Sequence, residues 1–267
     1  MAAQLKRTAR LAGTLATVLA IAASAACTGG ASDTEYGLSR EGKLSVCVVM
    51  PTPMYAQTGA DQQLTGLDVD VLAKVTEMID LEPNYITIAE EWIGTDKPFD
   101  EAKCEVIAGG RIVDAATRDV LDYTRPYLRT HASMLVRVDS KVKEPADLSG
   151  EVLATPGDRP WTGVVSAYAA DWGVTQAPQA DMVAALAALD AGDVPAVLAD
   201  DASLRYLAQA QPGRYRLVEG VDEPFFPVAF ATSIYIETDL RDDLNEAIGE
   251  LDENGALATM RQTWTGV

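Results

Sequence analysis

Histidine is nearly absent from this chain: His131 is the only one in 267 residues. Cysteine is scarce too, with three. A histidine-rich metal site or an array of zinc fingers cannot be assembled from that inventory, so no metal or other cofactor is expected. Positive charge is in short supply, with 21 Lys and Arg against 40 Asp and Glu, a net charge of −19. Such a surface repels a nucleic-acid backbone, which excludes DNA and RNA as expected partners. The G-x-S-x-G elbow is missing, so the lone histidine has no serine nucleophile of that kind to serve. The phosphate-binding P-loop and the G-x-G-x-x-G fingerprint are missing as well. Past residue 27 no uncharged run reaches membrane-span length. What is present is a globular mixture, 48% hydrophobic and 23% charged, long enough for one large domain or two lobes of roughly 100–150 residues.

Residues 1–27 read as an export signal. Lys6, Arg7 and Arg10 form a basic start, and Leu11 to Ala26 is small, apolar and uncharged. That stretch is shorter than the roughly 20 residues a membrane span needs. Its end, Ser24-Ala25-Ala26-Cys27, resembles a bacterial lipobox, with Cys27 as the lipidated new N-terminus; Ala23-Ser24-Ala25 would also serve plain secretion. Residues 28–35, opening with Thr28-Gly29-Gly30-Ala31-Ser32, read as a flexible tether. The expected mature protein lies outside the cytoplasm, on the outer face of the membrane, with a net charge of −22.

In an oxidising compartment Cys47 and Cys104 are an even pair, and a disulfide is expected if their strands are neighbours; the alternative is two separate buried thiols. Residues 42–50 read as a buried strand, 66–80 as a helix with an apolar stripe, and 84–88 and 104–110 as further strands. Strands are also expected at 133–138, 152–155, 194–199 and 228–236. Helices are expected at 181–191, with Gly192 as its stop, at 201–209 with Asp201 as its cap, and at 240–251 and 256–264. Pro224 and Pro227 suggest a rigid connector around Phe225 and Phe226. Strands alternating with helices imply an α/β class with parallel pairing.

Five motifs occur in an order that carries a resemblance. Gly66-Leu67-Asp68-Val69-Asp70 resembles the G-F-D-V-D signature of bacterial family 3 extracellular solute-binding proteins. Asp122-Tyr123-Thr124-Arg125-Pro126-Tyr127 resembles their D-F-S-x-P-Y, and Asp147-Leu148-Ser149-Gly150 their D-L-x-G. Pro195 to Asp200 resembles D-A-V-x-x-D with Pro195 in place of the first Asp, and Trp264-Thr265-Gly266 resembles the family's tail. The resemblance spans roughly residues 42–266. It implies a two-lobed type II periplasmic-binding-protein fold, with two crossing hinge strands and a small solute held between the lobes. Lobe 1 would comprise 36–130 plus 229–267, and lobe 2 would comprise 131–228. The implied partners are a small polar solute, an amino acid or amine, and the permease of an ABC importer. A monomer is expected, because no extended apolar surface pattern argues otherwise.

Three loops after parallel strands should face the cleft. The first holds Tyr55, where the family often places an aromatic. The second runs from Gly110 and Arg111 to Thr117 and Arg118. The family's carboxylate-binding Arg falls at Thr117 here, so Arg118 by a one-residue slip or Arg111 takes that role, or no carboxylate is bound. The third loop offers Asp158 and Arg159, a charged pair for a zwitterionic or cationic solute. Asp200 matches the carboxylate that accepts the ligand ammonium. Trp92 is either a stacking surface or core, and His131, near the first crossing segment, either a pH-sensitive group or a packed neutral one. Two other readings stay open: a sensor or partner-binding module with a degenerate cleft, and a cyclohexadienyl-dehydratase-like enzyme using Glu91, Asp114 or Asp158 as acid.

Overall fold

The computed structural model describes residues 36–157, 161–218 and 225–266. The expected signal at 1–27 with Cys27, the tether at 28–35 and the Asp158–Arg159 pair lie outside the described residues.

The first sheet starts with β1 (Lys43–Val48), which is buried on both faces after its first residue. A near-continuous apolar run of this kind suits a central parallel strand. A two-stranded hairpin follows, β2 (Gln57–Thr58) and β3 (Leu64–Thr65), and leads into α1 (Leu67–Met78). Helix α1 buries Leu67, Val71, Leu72 and Val75 along one face, the stripe the sequence predicts. Then come β4 (Glu82–Thr87), the short α2 (Lys97–Asp100), β5 (Val106–Ala108) and β6 (Leu121–Tyr123).

The chain leaves this sheet through β7 (Leu128–Arg137), ten residues long. The second sheet adds β8 (Val152–Pro156), α3 (Trp161–Trp172), β9 (Thr175–Gln179) and α4 (Met182–Ala191). It continues with β10 (Val197–Asp200), α5 (Asp201–Ala210) and β11 (Tyr215–Val218). Strand β12 (Phe225–Val228) leads back, and β13 (Ala231–Ser233), α6 (Thr238–Glu253) and α7 (Ala256–Thr265) complete the first lobe.

The two sheets share one topology. The first has the order β4-β1-β5-β13-β6, the second β9-β8-β10-β7-β11. In each, three parallel strands adjoin an antiparallel strand supplied by the crossover, β13 in one and β7 in the other. Strands β7 and β12 run antiparallel between the sheets, with Phe225 opposite His131 and Val228 opposite Leu128. These are two crossing strands in a two-lobed α/β fold. Each sheet has its own core: Leu44, Leu72, Tyr127, Phe230 and Leu244 pack in one, Met134, Leu153, Leu189, Leu198 and Leu204 in the other.

Three local expectations are corrected. Phe225 and Phe226 belong to β12, because Pro227 needs no donor there: its carbonyl accepts from Val113 N at 2.9 Å. The strand expected over 228–236 is split, since the segment switches partners from β7 to β5 and β6. Asp200, not Asp201, caps α5, because Asp200 is the last extended residue and its Oδ1 accepts from Ser203 N at 3.0 Å.

Candidate functional site

Six parallel strands end at one cavity of about 380 Å³ between the lobes. From lobe 1 it receives Glu90, Glu91 and Ile93 after β4, Val49 to Tyr55 after β1, and Gly109 to Thr117 after β5. From lobe 2 it receives Pro156 at the end of β8 with Gly157 after it, Ala180 to Met182 after β9, and Asp200 at the end of β10 with Ser203 on α5. In open parallel sheets ligands bind in the crevice outside the carboxyl ends of the strands, and here two such ends face each other.

The glycine turn after β5 is built around a buried carboxylate. Asp68 Oδ2 accepts from Gly109 N at 2.6 Å and Gly110 N at 2.9 Å, and Oδ1 accepts from the Tyr127 hydroxyl at 2.5 Å. Burial pushes the Asp68 pKa up, and the three donors oppose that push. Gly110 has a left-handed φ of +67°, and a Cβ there would stand 2.4 Å from the Tyr55 ring. The turn therefore holds the aromatic of the first loop directly against glycine.

Tyr55 then reaches across the cleft. Its hydroxyl donates to Asp200 Oδ1 at 2.8 Å, joining lobe 1 to lobe 2. Asp200 Oδ2 accepts from Ser203 Oγ at 2.5 Å. Burial first, and Asp200 second, raises the Tyr55 pKa well above its ordinary value. Burial raises that of Asp200, against the bonds from Ser203 and Tyr55. Asp200 is the acceptor in all three of these bonds, two on Oδ1 and one on Oδ2.

The cavity brings together Tyr55, Gly110, Arg111, Thr117 and Asp200 from the sequence candidates, with Glu91 and Asp114. Arg111 folds back: Nε and Nη2 donate to Gly109 O at 3.2 and 2.8 Å, and Nη1 lies 3.5 Å from Glu90 Oε1. Thr117 Oγ1 donates to Asp114 O at 2.9 Å and accepts from the Tyr123 hydroxyl at 2.8 Å. Arg118 is not at the cavity. It lies outside, over the Tyr123 ring at 5.2 Å and 3.4 Å from Asp122. Trp92 is not there either: it packs with the cluster around Cys47 and Cys104, with Lys97 Nζ 5.6 Å from its ring centre. Those two cysteines form a disulfide, with Cα atoms 5.7 Å apart. His131 lies on β7, its Nε2 3.6 Å from Asp201 Oδ1 and its ring edge-on to Phe225.

Sequence reasoning missed Glu90, Tyr123, Ser203 and the cavity-facing role of Asp181. Asp181 was legible only as the cap of α4, where its Oδ1 accepts from Ala184 N at 2.8 Å. Among the described residues no group of three or more His, Cys, Asp or Glu is arranged to hold a metal ion. No described helix is long and apolar enough to cross a membrane.

Residues 44–267 match the bacterial extracellular solute-binding proteins, family 3. The chain belongs to that family. Among its relatives is the glutamate-binding protein GluB of Corynebacterium efficiens, 26% identical over 262 residues, covering 90% of this chain and 88% of that protein. The amino-acid-binding protein AabA of Dichelobacter nodosus is 19% identical over 226 residues, covering 81% and 84%. Among solved structures, a mutant of the arginine-binding protein ArgBP from T. maritima superposes with a TM-score of 0.72 at 21% identity, covering 85% of this chain and 96% of that one. The family 3 fold is thus the two-lobed type II arrangement described above, and the matched region includes every strand and helix that lines the cavity except the first residue of β1.

Proposed function

We propose that this protein is an exported solute-binding protein that captures a small polar solute, an amino acid or an amine, between its lobes and delivers it to the permease of an ABC importer. The observation that carries this reading is the convergence of loops from all six parallel strands on one interlobe cavity of about 380 Å³. That size lies at the low end of ordinary small-molecule sites. Family membership and the amino-acid-binding names of the relatives support the solute class. The crossing pair β7 and β12 supplies the hinge about which such lobes close. Lipidation of Cys27 would tether the protein to the outer face of the membrane. The reading is one of capture without turnover, so the solute is released unchanged.

Thermal unfolding against amino acids, amines and organic acids tests it. A solute at 100 times its Kd stabilises the folded state by about 2.7 kcal/mol. For a chain of this size that raises Tm by roughly 5–10 °C. A folded protein whose Tm none of these solutes moves would refute the reading.

A further inference from the structure

The cavity is lopsided in charge. Among its described lining residues Glu90, Glu91, Asp114, Asp181 and Asp200 carry carboxyl groups, three from lobe 1 and two from lobe 2, and Arg111 is the one cation. An amino acid brings its own carboxylate, which needs donors. Several donors that line the cavity already have acceptors within the protein. The Nε–Nη2 edge of Arg111, the edge that grips a carboxylate in a bidentate pair, is closed by Gly109 O, and Nη1 faces Glu90. The amides of Gly109 and Gly110 are spent on Asp68. The hydroxyl at Thr117, the place of the expected arginine, donates to Asp114 O, and the Tyr55 hydroxyl donates to Asp200.

Helix N-termini are the other common anion receptors. Among the described lining residues are the starts of α4 and α5, each capped by its own carboxylate: Asp181 on Ala184 N and Asp200 on Ser203 N. Acceptors, by contrast, are in surplus. Glu91 has no hydrogen-bond or ion-pair partner among the described residues, and Asp181 uses only Oδ1. In a half-enclosed cavity, unpaired carboxylates raise the local concentration of cations and repel anions.

We infer that the captured solute is an organic cation without a carboxylate, an aliphatic amine or guanidine, rather than an α-amino acid. This rests on the binding reading above and narrows it. The cation sits between the lobes, taking acceptors from Glu91 on one side and Asp181 on the other.

The test compares solutes that differ by the carboxylate alone. Calorimetric titration of the full exported chain uses agmatine against arginine and cadaverine against lysine, with glutamate as the anionic control. The expected result is that at least one amine binds tenfold or more tighter than its amino acid, with no heat from glutamate. Glu91→Gln and Asp181→Asn should each weaken that amine about five- to tenfold, while circular dichroism stays that of the parent. If arginine and lysine bind as tightly as their decarboxylated partners, or glutamate binds, the inference is overturned and the capture reading stands. The inference is also overturned if neither variant changes the amine affinity. If the folded protein binds none of the five, the inference is overturned, and the broader thermal-unfolding panel decides whether the capture reading stands.

Discussion

Asp200 ends a buried strand, begins a helix and takes a hydroxyl from the opposite lobe. Its neighbours tolerate loss of the charge. In Asp200→Asn the amide oxygen keeps the bonds from Ser203 N and Tyr55, and the new NH₂ can donate to Ser203 Oγ. That hydroxyl then turns its proton to the Asp200 carbonyl, 3.2 Å away. Asn is also as good a cap as Asp. Burial raises the Asp200 pKa above its unfolded value of about 3.9. A raised folded pKa means that the group's contribution is fully present below about pH 3.9 and is lost as pH rises through the folded value. Wild-type stability should therefore fall between pH 4 and 7 by more than that of Asp200→Asn, and the two should differ by no more than about 1 kcal/mol at the acid end. Urea melts at pH 4, 5, 6 and 7 read this directly. Parallel pH profiles would show that Asp200 is not held against ionisation.

Among the elements, those with strong periodic signals were legible: β1 as a continuous apolar run, α1 by its stripe, α4 by Asp181 at one end and Gly192 at the other. Strand β9, Thr175–Gln179, has no alternation and contains Pro178. It is a strand because β8 pairs with it at the sheet edge, where a proline is tolerated. The site divides in the same way. Tyr55 and Arg111 lie on loops after strands, which pointed to the cleft from the sequence, and Asp200 was singled out by the resemblance. The job of Asp68 depends on amides 41 and 42 residues away, which no local pattern reveals. Arg118, the alternative to Arg111 by a one-residue slip, lies out over Tyr123 rather than in the cleft, a direction that residue spacing on a turn does not reveal. The disulfide ties β1 to the segment entering β5 across 57 residues. A loop of that length constrains the unfolded chain by about 4 kcal/mol. Cys47→Ala/Cys104→Ala should lower unfolding free energy by about 2–4 kcal/mol in urea, the usual range once unfolded-state structure is allowed for. A loss under 1 kcal/mol would mean that the sheet already fixes these strands without the bond.

At the scale of the whole molecule, one topology is used twice, and side-chain bonds join its two copies. Tyr55 bonds Asp200, and Gln57 Nε2 donates to the Tyr206 hydroxyl. The Tyr206 ring lies 6.1 Å from that of Trp264, whose indole N–H donates to Asp70 at 2.7 Å. Helix α5 of lobe 2 is thereby held to α7 and α1 of lobe 1. The Tyr55 bond is the part of this contact that lies inside the cleft, so it competes with opening. A hydrogen bond to a charged or buried carboxyl is worth about 1.5–3 kcal/mol, roughly a ten- to hundredfold bias toward the closed arrangement. Phe fits the same space against Gly110 and leaves Asp200 its bonds from Ser203. Tyr55→Phe should therefore fold normally yet give a larger radius of gyration than wild type by X-ray scattering without solute. Saturating solute should bring the two radii together, and the variant's affinity should fall by up to the same ten- to hundredfold, because less of the free protein is closed. Identical radii without solute, with unchanged affinity, would show that the crossing strands and the α5–α7 contact set the lobe angle and that Tyr55 only fills space.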